Sequence, residues 1–330
     1  MKNYLPLYSL FILLLCAVLI GCSSSSSRAP SAVEVWAHGS GKVKVLSTTS
    51  MVDDIVAQIG GDRIDHIALI TGEIDPHSYE LVKGDDEKLA LAQVIFFSGL
   101  GLEHGASLRY QLKHHPHAVG VGDSVLENYP DLILYVDKQI DPHIWMDIAL
   151  WSKIIDPIVE TLSAIDEAGR EEYRKNAEGV REKMMQAHFE VERSLKSIPQ
   201  EKRYLVTSHD AFNYFTRAYL ATPDETTPAE WQKRCDAPEG LAPEGQLSTA
   251  DIQAVIDHLI KYHIQVVFPE SNVSRDSLKK VVHACRQKDL VVTISNQSLY
   301  GDSMGPSGSD ADTYLKMIRY DADVLLEAWR

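Results

Sequence analysis

Positive charge is scarce in this chain. Its 330 residues include 32 Lys and Arg against 47 Asp and Glu, a formal net charge of -15. Such a surface repels phosphate backbones, which excludes nucleic acid as a partner. No P-loop and no H-E-x-x-H segment occurs, so neither nucleotide hydrolysis nor zincin chemistry has support. Past the N-terminus no apolar run is long enough to span a bilayer. Cysteine is scarcer still, at four. Hydrophobic residues are not scarce: at 45%, with 24% charged, they exclude disorder over the whole chain and allow two cores or one large one.

The chain opens on "MKNYLPLYSLFILLLCAVLIGC", in which one basic residue precedes a dense apolar run. This is an export leader, too short to cross a bilayer comfortably. The closing "LIGC" resembles a lipobox, so residues 1–21 are expected to be a lipoprotein signal peptide, cut before Cys22, whose thiol then carries lipid. An uncleaved anchor or a plain signal peptide would equally leave the folded part outside the cytoplasm. Residues 22–41, beginning with a serine run, then read as a flexible tether. Cys16 falls in the leader and Cys22 to lipid, leaving Cys235 and Cys285, which are expected to form one disulfide in an oxidising compartment.

After the tether, short apolar runs alternate with helical patterns, the mark of βα units and an α/β fold. Strands are predicted at 43–47, 64–70, 94–97 and 118–121, then at 204–207, 266–268 and 290–294. Ser50, Ser248 and Ser274 are candidate helix caps, and a last helix covers about 310–329. Residues 147–198 carry no strand signal; Pro157 suits a first helical turn and Gly169 marks a break before residues 170–198. That last piece would be about 43 Å long at 1.5 Å per residue. Charged residues interrupt its apolar seam, so it reads as a connector and not as a coiled coil. The expected plan is one lobe over 42–169, a linking helix over 170–198 and a second lobe over 199–330.

Of the 13 histidines, three stand out by placement. His77 lies in "TGEIDPHSYE" past a predicted strand, His143 in "KQIDPHIWMD" at a turn opening a helix, and His209 in "RYLVTSHDAFNYF" directly at a strand end. Ligands gather outside the carboxyl ends of strands in open α/β sheets, and Asp-Pro holds the following residue on a stiff turn. A carboxylate would complete a set suited to a borderline divalent metal. Asp302, in the irregular "LYGDSMG", fits better than Asp310 or Asp312, which read as first-turn acids of the last helix. Glu270, in "FPESNVS", is a possible outer partner or substitute. "GDSMG" also fits G-x-S-x-G, but no histidine follows His283, so a triad of that chain order fails. The "KHHPH" cluster, His114 to His117, reads as solvated loop, and "NVS" and "NQS" carry no information as sequons.

Lipobox, D-P-H, D-P-H-x-W, "TSHDAF", "FPESNVS" and "LYGDSMG", in this order around a long central helix, resemble the cluster A-I metal-binding lipoproteins of ABC importers, the TroA-like group. The resemblance runs from Cys22 to the C-terminus. It implies two α/β lobes with central sheets, joined by one rigid helix, and a divalent transition metal bound between them. It also implies the ligands His77 and His143 from the first lobe and His209 and Asp302 from the second. Some members carry Glu at the third position, often those associated with manganese, and zinc-dedicated members often have a His-rich acidic loop that this chain lacks. Zinc, manganese and ferrous iron therefore all remain open. Further implications are a non-enzymatic, periplasmic or envelope-bound monomer, with permease and ATPase on separate chains. The rival readings are a secreted mononuclear metallohydrolase with Glu270 as its base, and a surface adhesin with a structural metal.

Overall fold

The computed structural model describes residues 31–39, 41–243 and 247–330. Cys22, the leader and the serine run lie outside the described residues. The chain divides into two compact units, one ending at His38 and one covering Gly39–Arg330. In the first, Ala32–His38 is a helix within the stretch expected to be tether. Ser31 and Glu34 close its N-terminus reciprocally, the Glu34 N–H donating to Ser31 Oγ and the Ser31 N–H to Glu34 Oε2. No helix among the described residues is long and apolar enough to cross a membrane.

In the larger unit, β1 (Val43–Ser47), β2 (Ile64–Ala68), β3 (Val94–Phe97) and β4 (Ala118–Gly120) form a parallel sheet in the order β2-β1-β3-β4. β1 and β3 are almost wholly buried, as central strands covered on both faces must be. The helix after β1 is Ser50–Gly60, but its cap is Thr49, one residue earlier than expected, whose side chain accepts the Val52 N–H. A small antiparallel hairpin, β5 (Tyr135–Val136) and β6 (Gln139–Ile140), follows.

The second half repeats the plan with shorter strands. β7 (Leu205–Val206) pairs in parallel with β8 (Cys235–Asp236), and β9 (Val266–Val267) with β10 (Thr293–Ile294). The Phe268 N–H donates to the Val206 carbonyl at 2.8 Å, which joins the pairs in the order β8-β7-β9-β10. This is the same second-first-third-fourth arrangement as in the first sheet.

Between the halves runs one unbroken helix, Arg170–Lys196, of 27 residues. Its buried positions are Tyr173, Ala177, Val180, Met184, Ala187, Val191 and Leu195. They are spaced four and three apart, so the apolar seam is sustained after all, built partly of alanine. It packs against Ser50–Gly60 and Ile155–Ile165 of the first half and against Tyr314–Trp329 of the second. One apolar cluster extends from Val43 to Trp329 and includes Trp145, Trp151, Phe212 and Tyr314. A core shared this way resists a wide hinge.

The expected disulfide does not form: Cys235 and Cys285 are both free. Cys285 is buried in a separate apolar cluster of the second half, whereas Cys235 packs against the main core and its thiol donates to Asn213 Oδ1 at 3.4 Å.

Candidate metal centre

Both Asp-Pro-His segments fold alike. Asp75 Oδ1 accepts the His77 N–H at 2.9 Å, and Asp141 Oδ1 accepts the His143 N–H at 3.0 Å. The aspartate thus closes an Asx turn over the proline and fixes the direction of the imidazole. The first turn lies beyond β2 and the second beyond the β5–β6 hairpin. His209 sits just past β7, where the Thr207 hydroxyl donates to its carbonyl at 2.8 Å. Asp302 follows Gly301, beyond β10.

These four residues converge, with one donor atom from each lying within 4.8 Å of every other, and all four are buried. His77 Nε2 is 3.2 Å from His143 Nε2 and 3.7 Å from Asp302 Oδ2. His143 Nε2 is 3.4 Å from Asp302 Oδ1, and His209 Nε2 is 3.1 Å from Asp302 Oδ2. Four donors about 2.0–2.1 Å from a central ion in tetrahedral array stand about 3.3 Å apart, so the cage has the size of one transition-metal ion. His209 Nε2 and Asp302 Oδ1 are buried without a hydrogen-bond partner. Orphans of this kind are rare, and a bound cation satisfies both.

The imidazoles are backed by carboxylates, as ligating histidines commonly are. Asp141 Oδ1 is 2.8 Å from His143 Nδ1. Glu270 Oε1 accepts the N–H groups of Ser208 and His209 at 3.0 and 2.9 Å. Its Oε2 lies 2.7 Å from His209 Nδ1, out of line for a hydrogen bond, so this contact is chiefly electrostatic. A side chain at Gly301 would put its Cβ 2.3 Å from that oxygen, so only glycine fits beside Asp302. Asn272 Nδ2 donates to Asp302 Oδ2 at 3.2 Å.

Charge follows from this packing. Burial depresses His77 to about 3, so this imidazole is neutral. Burial acts the same way on His143, but Asp141 and Asp302 outweigh it and push the group up to about 9. His209 is likewise raised, its burial overcome by Glu270 and Asp302. For Asp302, burial favours the neutral acid, yet His209, His143 and His77 hold it well below the usual carboxylate range. The site therefore attracts positive charge, which protons or a metal ion supply.

Two polar ties cross between the halves here. Trp145 donates its indole N–H to the Gly301 carbonyl at 2.8 Å, and its ring lies 5.2 Å from that of His143. Tyr214, five residues after His209, donates its hydroxyl to the Asp141 carbonyl at 3.0 Å and accepts the Leu134 N–H.

All four residues singled out from the sequence meet here, with Glu270 behind His209. Asp312 does not: it accepts the Gly308 N–H and pairs with Lys316. His114 is exposed, its Nδ1–H donated to the Tyr110 carbonyl. Asp141, Trp145 and Asn272 were missed as site residues. In the sequence Asp141 reads as a turn former and Asn272 as part of a sequon, although they belong to the "DPHIW" and "FPESNVS" segments.

Residues 45–328 match the family model described as the periplasmic zinc-uptake complex component A. The chain is 36% identical over 326 residues to the metal-binding protein YtgA of Chlamydia trachomatis, covering 99% of this chain and 95% of that one. It is 31% identical over 289 residues to the manganese-binding lipoprotein MntA of Bacillus subtilis, covering 87% and 90%. The crystal structure of Fe(III)-bound YtgA from Chlamydia trachomatis superposes with a TM-score of 0.81 at 37% identity, over 87% of this chain and 98% of that one. The periplasmic zinc-binding protein TroA from Treponema pallidum gives 0.78 at 26% identity, over 88% and 99%. With fold, site and sequence in agreement over nearly its whole described length, the chain belongs to the periplasmic zinc-uptake component A family of metal-binding proteins from ABC importers.

Proposed function

We propose that this protein captures one divalent transition-metal ion outside the cytoplasm, between His77, His143, His209 and Asp302, and hands it to a membrane permease driven by an ATPase on a separate chain. The observation that carries this reading is the buried cage of three imidazoles and one carboxylate, with two of its atoms lacking any other partner. A mixed imidazole and carboxylate set suits zinc, ferrous iron and manganese. The chain acts as a monomer anchored through lipid on Cys22, with lobes over 42–169 and 199–330 joined by 170–198. Each lobe supplies two ligands, so metal closes their interface and its loss loosens it. The shared core and the Trp145 and Tyr214 ties favour small loop movements.

The role is binding and not turnover. Glu270, the base a hydrolase would need, is occupied by Ser208 and His209, and the donor atoms are too enclosed for a substrate. Elemental analysis of protein purified from its native envelope tests the reading. One zinc, manganese or iron per chain is expected, in a form that chelator removes and metal restores to the folded protein. Metal-free protein that takes up none of the three would overturn it.

A further inference from the structure

We infer that Asn272 sets the metal preference of the cage: its side-chain N–H engages one oxygen of Asp302, so the carboxylate offers the other as a single ligand atom and the site favours a four-coordinate ion. This inference rests on the metal-capture reading above. Both carboxylate oxygens border the cage. Oδ1 stands 3.4 Å from His143 Nε2, and Oδ2 stands 3.1 Å from His209 Nε2 and 3.7 Å from His77 Nε2. Asp302 can therefore bind an ion through one oxygen or through both, and with the three imidazoles the ion becomes four-coordinate or five-coordinate.

Asn272 is what distinguishes the two oxygens. Its Nδ2 donates to Oδ2 at 3.2 Å, whereas Oδ1 is buried with no hydrogen-bond partner. The bond engages a lone pair of Oδ2 and draws charge from it, which leaves Oδ1 the stronger donor to an ion. The amide makes this contact at a cost, since its own Oδ1 is buried with no hydrogen-bond partner. Turning the amide over would set that oxygen against the carboxylate. A side chain kept only for packing would not leave a buried carbonyl unpaired.

The backbone fixes the two residues opposite each other. β9 and β10 pair in parallel, and the loops that follow them continue side by side. The Leu299 N–H donates to the Pro269 carbonyl at 2.8 Å and the Ser271 N–H to the Leu299 carbonyl at 2.9 Å. Arg275 Nη2 donates to Ser298 Oγ at 2.9 Å, and the Ser271 and Ser303 hydroxyls lie 3.2 Å apart. Next to Asp302 itself, Asp321 Oδ1 accepts the Tyr300 N–H at 2.9 Å and Trp145 donates to the Gly301 carbonyl at 2.8 Å. With the main chain pinned in this way, rotation of the Asp302 side chain is the freedom that remains, and the Asn272 amide restricts it. Glu270, two residues before Asn272, backs His209, so one segment orients two of the four ligands.

Zinc favours four ligands in tetrahedral array, whereas manganese takes more ligands and more of them oxygen. Freeing Oδ2 should therefore cost zinc affinity and spare manganese. Competitive titration of zinc and of manganese against a chelator, on the metal-free, full-length protein, measures both constants. For Asn272→Leu and Asn272→Ala the ratio of zinc to manganese affinity is expected to fall by about tenfold, and X-ray absorption of the zinc form should show one more oxygen ligand than in the wild type. Mere loosening of the loop would weaken both metals alike, so an unchanged ratio would overturn the inference. An unchanged zinc coordination number would overturn it too. Asp302→Ala, measured alongside, separates this from the capture reading. If it still binds zinc with undiminished stoichiometry and affinity, the capture site itself is wrong; if it loses zinc while the Asn272 variants keep the native ratio, only the role of Asn272 falls.

Discussion

Replacing Glu270 with glutamine alters one charge and almost no volume behind His209. The carboxylate is 1% exposed, with Oε1 taking the Ser208 and His209 N–H groups and Oε2 lying 2.7 Å from His209 Nδ1. A glutamine can keep its carbonyl oxygen on the two backbone donors, which turns its amide donors toward Nδ1. Donor then faces donor unless the imidazole moves its proton to Nε2, the atom 3.1 Å from Asp302 that would hold the metal. Losing the outer partner of a ligating histidine costs roughly 10–100-fold in affinity, or about 1.4–2.7 kcal/mol. Competitive titration of zinc against a chelator measures the ratio, with stoichiometry staying at one metal per chain. The wild-type site must also expel the proton that Glu270 and Asp302 hold on His209, whereas the variant holds it more weakly. The gap between the two should therefore widen as pH rises from about 6 to about 9. A variant within about twofold of wild type at both ends of that range would refute the assignment of Glu270, since twofold is well under 1 kcal/mol.

Three further outcomes are expected. His143, pushed up to about 9 by Asp141 and Asp302, and His209, raised by Glu270 and Asp302, both favour the protonated ring near neutral pH and must lose that proton to bind a metal, so affinity should fall as pH drops and zinc uptake near neutral pH should release protons; an indicator dye that records no release would contradict this. Gly301→Ala should weaken zinc binding at least about tenfold, because its Cβ would meet Glu270 Oε2 at 2.3 Å; calorimetry showing native affinity would rule out the close packing. Trp145→Phe removes the indole donor from the buried Gly301 carbonyl and should destabilise the fold by about 1–3 kcal/mol. Denaturant unfolding measures this, and an unchanged midpoint would mean the tie contributes nothing.

The ligands were legible because each lies just past a strand or turn whose pattern is plain in the sequence: β1 and β3 fall on the predicted residues, and His209 follows β7 within three positions. Asp141 was harder to read, since one side chain does two jobs, closing the turn through the His143 N–H and backing the ring at Nδ1. A turn signal explains the residue fully and hides the second role. The seam of the long helix escaped for a different reason. Ala177 and Ala187 are small, and between charged neighbours they do not look like core, yet small residues let the flanking helices approach. Cap positions depend on backbone angles one residue either side of the candidate, which is why Thr49 and not Ser50 begins its helix. The cysteine pairing was inferred from compartment alone, and pairing requires a distance that composition does not contain.

The central claim is that His77, His143, His209 and Asp302 hold one ion. Diffraction from zinc-loaded crystals, recorded on both sides of the metal absorption edge, tests it directly. The account predicts one strong anomalous peak per chain, bonded to the Nε2 atoms of the three histidines and to the Asp302 carboxylate. A peak bound elsewhere, or a metal-loaded protein in which any of these four side chains stays unbonded, would contradict it.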